Sequence, residues 1–548
     1  MGRSHQHATV SERAMHDQTN LLPRPQLIVV FTALSLTLLI AFIDQNGISV
    51  SLPTIAADLN AEDTISWAGT TSLVANTMFQ MLYGRLSDIF GRKAVYLTAI
   101  ATLIIADVLC GIAQNAASFY VFRGLAGIGG GGITNLSMII ISDIVTLEQR
   151  GKYQGIIGAM VGLGNVAGPF IGAAFIQKTG SWRGFFYMLA PLGAVVWVIT
   201  FFLLPSKPPS GSFQENARKV DYMGSFTSSL GVIFLLIPIS GGGAYFPWES
   251  PMIISMLVIG SLAMIVFIII EWKLAKLPMM PLAIFSNPVT TIMLVQSFLF
   301  GAVYQSYLYY IPMYLQNAHQ FSPTMSAAIS VALMGLQTVS SVLSGQYISR
   351  MKRYGEVIQI GFGSWTLGSG LTLLLDRNSS PGIIIIPLMF IGFGVGCIFQ
   401  PTLVALQAHS TKSRRAVIIS NRNFFRCFGG ACGLAVSAAV LQAVLRANLP
   451  LKYAYLADET YAVPRLSGDD RDGVLDAYMA ASRAVFILQI PLIGLCLLGC
   501  VFIKDNGLEA IDERPNSDTV EDGATSTVQE SQISSTENGF GGAIKETN

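Results

Sequence analysis

Four ionisable side chains stand where an apolar environment makes them expensive. Asp44 lies in the run Ile40–Pro53, and Asp107 in an apolar run of its own. Arg123 opens the run Arg-Gly-Leu-Ala-Gly-Ile-Gly-Gly-Gly-Gly, and Arg426 sits within Asn423–Gly433. On insertion scales, a charge at the centre of a membrane span costs roughly 2.5–3.5 kcal/mol. Such a residue is paired, protonated or functional. The bland alternative for Asp44 is a wet position near the outer end of its span. For Arg426 it is a side chain that reaches out to the interface. Carboxyls in such places suit proton binding and release, with a pKa raised by desolvation and lowered by a nearby guanidinium.

Other chemistries find little support. All six cysteines (110, 397, 427, 432, 496, 500) fall inside apolar runs without a CxxC, which reads as packing. None of the five histidines (5, 7, 16, 319, 409) is deep in a span, so neither a metal site nor a cofactor is expected. No nucleophile–base pair appears, so no enzyme is expected. A net charge of +1 gives no reason to expect nucleic acid. Gly2 invites a myristoylation reading, but position 6 is Gln and the motif fails.

The elements that must hold these residues follow from composition. Of 548 residues, 52% are hydrophobic and 12% charged, about half the charged share of a soluble domain. Apolar runs near twenty residues recur, which predicts an all-α polytopic membrane protein. Fourteen spans are expected, from 27–48 to 483–503, the first retained and not a signal peptide. Residues 1–26 and 504–548 read as polar, disordered cytoplasmic tails. Even parity puts both termini on one side. With that side inside, the short inner connections hold Arg85, Arg92, Lys93, Arg150, Lys152, Lys273, Lys276, Arg350, Lys352, Arg353, Arg414 and Arg415, among others. The short outer ones hold only Lys178, Arg183 and Arg377. That asymmetry predicts a cytoplasmic location for both termini.

One connection is more specific. Gly84 to Lys93 reads Gly-Arg-Leu-Ser-Asp-Ile-Phe-Gly-Arg-Lys. It closely resembles the loop between the second and third helices of major facilitator superfamily transporters, G-x-L-x-D-x-x-G-R-[KR]. Gly84, Asp88, Gly91, Arg92 and Lys93 match. A degraded echo lies at Gly345–Gly355, where the Asp is missing. The Asp44 segment resembles the first-helix motif of the fourteen-helix drug–proton antiporter branch, with Asn46 where Thr is usual. The Arg123 run resembles that branch's R-x-x-Q-G-x-G-x-G, with Ala126 in place of Gln. Gly164, Gly168, Pro169 and Gly172 resemble its G-x-x-x-G-P-x-x-G pattern, which importers generally lack. The stretch around Arg426 is similar to one in fungal fourteen-helix exporters.

The resemblance implies a six-helix bundle at 27–204, a linker with two extra helices at 205–289, and a second six-helix bundle at 290–503. A twelve-span chain with one interfacial hairpin is the alternative. The resemblance implies alternating access driven by a proton gradient, with Asp44 paired to Arg123 as the coupling site; Asp107, where the family usually has a small or hydroxyl residue, is the second candidate carrier as an acid within a span. The resemblance also implies a latch of Asp88, Arg92, Asp143 and Arg150. Tyr304, Gln305, Tyr307, Phe425 and Arg426 are expected around the substrate. The implied activity is export of small, mostly hydrophobic compounds by a plasma-membrane monomer, with the vacuolar membrane second. A proton-coupled importer and a non-transporting sensor are the alternatives.

Two glycosylation sequons start at Asn135, inside a span, and Asn378, in a very short outer connection. Removing N-glycans should therefore leave the gel mobility of the protein nearly unchanged. A shift abolished by Asn135→Gln would overturn the topology.

Overall fold

The computed structural model describes residues 21–61, 64–206, 212–242, 246–457, 470–503, 505, 507 and 508. Most of both expected tails, together with Lys207, Pro208 and Pro209 of the linker, lies outside the described residues. Among the described residues fourteen long helices follow one another: α1 (Arg24–Leu59), α2 (Trp67–Phe90), α3 (Arg92–Ile112), α4 (Ala116–Ile144), α5 (Leu147–Thr179), α6 (Arg183–Leu203), α7 (Tyr222–Gly241), α8 (Pro251–Lys273), α9 (Pro288–Asn317), α10 (Pro323–Met351), α11 (Gly355–Leu371), α12 (Pro381–Phe399), α13 (Arg415–Asn448) and α14 (Asp470–Gly499). Among the described residues there is no sheet, only one isolated bridge between Gly242 and Phe246.

Local signals explain the ends. Proline occupies the first turn of α1, α8, α9, α10 and α12, where a missing N–H loses no helical bond. Asn115, Asp221, Asn287 and Ser322 cap α4, α7, α9 and α10 through their side chains. The stretch from Gly84 to Lys93, expected as a short polar connection between spans, is mostly helical. α2 runs on to Phe90 and α3 starts at Arg92, so the break is Gly91 alone. Its φ of 89° is one that a side chain disfavours. The span expected at 383–407 breaks at Gln400, before Pro401, and resumes as a short helix, Pro401–Ala408. The sequence places a long outer loop at about 445–482; from Asp470 on it is helix in α14, and 458–469 lie outside the described residues. There Arg377 pairs with Asp472 and, at 3.2 Å, with Asp476.

Thirteen of these helices are long and apolar enough to cross a membrane. The remaining one, α2, is more polar, but it buries Asn76, Thr77, Gln80, Arg85 and Ser87 against protein. Its polarity is therefore directed inward, as a polar helix in lipid requires. α8 shows the opposite pattern: Ile254, Val258, Leu262, Ile265 and Ile269 are exposed, which suits contact with lipid.

In the first half α1 packs on α5, α2 on α4, and α3 on α4 and α6. In the second, α9 packs on α13, and α10 and α11 on α12. The halves meet through α5 against α10 and α2 against α13. The α7–α8 hairpin lies over that second seam, with α7 touching both α2 and α13. The side that carries Gly91, the α10–α11 turn and the start of α13 is called the basic end below.

Candidate functional site

α1 starts at the basic end and α4 starts at the opposite one, so Asp44 and Arg123 meet in the far half of the first bundle. Arg123 Nη1 donates to Asp44 Oδ1 at 2.7 Å. Asp44 is 3% exposed and Arg123 1%, so the wet-position alternative for Asp44 does not hold. Asp107 of α3, 1% exposed, turns its carboxyl towards that of Asp44. Asp44 bonds the guanidinium, and Asp107 lies beside that pair. The far side of Arg123 lies 5.9 Å from the Phe186 ring centre, beside a cluster of Phe119, Trp182 and Phe185. This apolar wall keeps the charges in a low-dielectric setting, where each depends on the others.

A second site lies between the halves. A cavity of about 50 Å³ has walls from both bundles. Gln45 and Asn46 come from α1, Asn76 from α2, Asn165 from α5, Tyr304 and Gln305 from α9, and Arg426 from α13. Phe42, Leu73, Leu308 and Phe399 make its apolar side. No Asp or Glu lines it. Arg426 does not reach the interface: its guanidinium lies 5.3 Å from the Phe399 ring centre. Among the described residues no carboxylate pairs with it. A chain of hydrogen bonds crosses the cavity wall. Asn46 donates to Asn165 (2.9 Å), Asn165 to the Tyr304 hydroxyl (3.1 Å), and Tyr304 to Gln337 of α10 (3.0 Å).

Two expected cavity residues are elsewhere. Tyr307 stacks on Phe486 of α14 with ring centres 5.8 Å apart. The face of α9 carrying 301, 304, 305 and 308 looks into the cavity, and position 307 falls beside it. Phe425 packs on Phe285 and Phe424, because a step of one residue from Arg426 turns it by about 100°. Asn165 and Gln337 were missed. Asn165 was visible as the one carboxamide in a glycine-rich run, whereas nothing local marks Gln337.

At the basic end Arg92 bonds Asp88 at 2.7 Å and Asp143 at 2.8 Å. Arg150 does not join these acids. It reaches the Ser142 carbonyl (2.5 Å) and Gln407 of the other half (3.2 Å). Lys93 turns away, 5.4 Å from the Phe201 ring centre. The halves are tied here by Lys352 on Glu148 (2.6 Å), Ser341 on the Gly155 carbonyl (3.0 Å), and Asn135 on Ser420 (2.8 Å). The Glu148–Lys352 pair is exposed and contributes little; the other two bonds are buried. Asn135 is fully enclosed, whereas Asn378 is exposed in its turn.

Gly164, Gly168 and Gly172 line the seam between α5 and α1. A Cβ on Gly168 would lie 2.8 Å from the Gly47 nitrogen, so only hydrogen fits between the backbones. Pro169 lies inside α5 without ending it. This close approach sets Asn165 against Asn46.

The family model of the Major Facilitator Superfamily matches residues 34–434. Citrate exporter 1 of Yarrowia lipolytica is 52% identical over 521 residues, covering 93% of this chain and 77% of that protein. The MFS-type transporter clz4 of Cochliobolus lunatus is 42% identical over 505 residues, covering 92% and 91%. Among solved structures, the human organic anion transporter MFSD10 matches with a TM-score of 0.58 at 16% identity, over 88% of this chain and all of that one. At that identity the likeness concerns the fold.

The buried Asp44–Arg123 pair makes a stability prediction. Arg123→Met leaves Asp44 buried without its cation, and should destabilise the purified protein by about 3–5 kcal/mol. Adding Asp44→Asn should recover much of that loss. Thermal unfolding in detergent measures both, and equal melting of the single and double variants would contradict the pairing.

Proposed function

The chain belongs to the major facilitator superfamily, and from that premise we propose that it exports a small organic anion, of the polycarboxylate class, in exchange for protons. The observation that carries the reading is Arg426. A cation facing the central cavity with no carboxylate partner among the described residues calls for a negative charge on the solute. The carboxamides around it, Gln45, Asn46, Asn76, Asn165 and Gln305, suit further carboxyl or hydroxyl groups. The resemblance to a protein named as a citrate exporter supports the same class. The expected mostly hydrophobic solute would use Phe42, Leu73, Leu308 and Phe399 but leave the cation unmatched. A compound with one acid group and an apolar body is the second reading, favoured by those four side chains.

The basic end is cytoplasmic in this reading, by the positive-inside rule. The described contacts close that end, so the cavity would be presented to the other side. Protons arriving from there meet Asp44 and Asp107. When Asp44 takes a proton, its hold on Arg123 weakens, and α1 is free to shift against α4. Gln45 and Asn46 follow Asp44 directly in α1, so the shift alters the cavity wall. Binding of the proton and of the anion are thereby linked through one helix. The plasma membrane remains the proposed location.

Vesicles loaded with labelled citrate test the solute class. Arg426→Gln should raise the KM for citrate roughly tenfold or more, the loss expected of a charged hydrogen bond. An unchanged KM would remove Arg426 from the site, and no citrate movement by the wild type would remove the solute class.

Asp44→Asn tests the coupling. It should fold, since Asp107 remains beside Arg123. It should still exchange labelled substrate across the membrane but fail to concentrate it when a pH difference is imposed. Uphill accumulation by this variant would show that Asp44 is not the coupling site.

A further inference from the structure

The family match leaves the α7–α8 hairpin without a task, and Arg85, a variable position of the 84–93 motif, without a role. The structure joins the two. Glu271, in the last turn of α8, is 4% exposed. Its carboxylate accepts from the backbone N–H of Met279 (3.1 Å) and of Met280 (3.0 Å). Arg85 Nε of α2 donates to the Pro278 carbonyl at 2.6 Å. Asn421 Nδ2 of α13 donates to the Met279 carbonyl at 2.9 Å. Three consecutive residues are therefore held by the hairpin, the first half and the second half at once. Arg85 in turn lies 3.8 Å from Asp88, the acid that holds Arg92.

We propose that Pro278–Met280 is a strap across the seam at the basic end, and that Glu271 is the positioning residue that sets it. The bonds from Arg85 and Asn421 come from opposite halves, so both persist only while α2 and α13 stay together. Opening the basic end breaks at least one. Glu271 sits on neither half. Its two bonds keep the Pro278 and Met279 carbonyls turned towards their donors through the cycle, so the strap re-forms when the halves close. The two extra helices then supply a fixed anchor for the gate. Glutamate suits this task because a carboxylate accepts two adjacent backbone N–H groups at once, and charge-assisted bonds of this kind are stronger than neutral ones. The inference rests on the alternating part of the proposed transport cycle and not on the choice of solute.

The test reads closure directly. Glu148 and Lys352 touch across the basic end and are exposed, so Glu148→Cys with Lys352→Cys in the full chain reports closure by its rate of capture with a short bis-maleimide. Glu271→Gln and Asn421→Ala should each lower that rate about fivefold, of the order expected when one hydrogen bond's net contribution leaves the closed state. The double variant should be scarcely slower than either, because both act through one strap. Tyr222→Ala, on the exposed face of α7, should leave the rate unchanged. Wild-type rates in Glu271→Gln and Asn421→Ala, or effects that simply add, would overturn the strap. If Glu271→Gln fails to fold, Asn421→Ala decides alone. A wild-type capture rate that ignores both added citrate and an imposed pH difference would instead count against the transport reading.

Discussion

Lipid offers no partner to a charge, so every ionised group inside the bundle must be answered by protein. Asp44, Asp107 and Arg123 meet that constraint by converging from α1, α3 and α4 on one point. Their meeting dictates much of the first half. α1 must be turned so that Asp44 faces α4, and this turn alone sends Gln45 and Asn46 to the central cavity. The glycines of α5 let α1 approach closely enough for the turn to be held. In the proposed cycle, a proton site and a solute site on adjacent faces of one helix would need no further device to sense each other.

The second half answers the constraint differently. Its cavity cation, Arg426, has an aromatic face at Phe399 and no carboxylate among the described residues. Arg422, one turn earlier, also lies over Phe399 and bonds its carbonyl. Ring contacts and carbonyls soften the burial of these charges without neutralising them. One half therefore pairs its buried cation with a carboxylate, and the other, among the described residues, does not. That division suits a protein in which the first half handles protons and the second attracts an anion.

The basic end shows a third arrangement. The ion pairs around Arg92 stay within the first half, while the ties between halves are mostly neutral hydrogen bonds: Asn135 with Ser420 and Asn423, Ser341 with Gly155, and the strap at Pro278–Met280. Each such bond contributes modestly, so the seam is closed by many small terms. A seam of that kind can open without a large single barrier, whereas a buried ion pair across it could not.

The amino-acid sequence by itself determined the spans and the family. Apolar length, glycine and proline placement and basic connections are local properties, and a bilayer reads them locally. It also marked Asp44, Arg123 and the Gly84–Lys93 stretch, because residue type and fixed spacing identify them without a partner. Only the tertiary structure decided how each helix is rotated. Tyr304 and Tyr307 are alike in type and three positions apart, yet one faces the cavity and the other Phe486. Arg150 and Gln407 are far apart in the chain, as are Glu271 and the strap's other holders, Arg85 and Asn421. Such contacts depend on where whole helices sit against one another, and no spacing within a single helix encodes that.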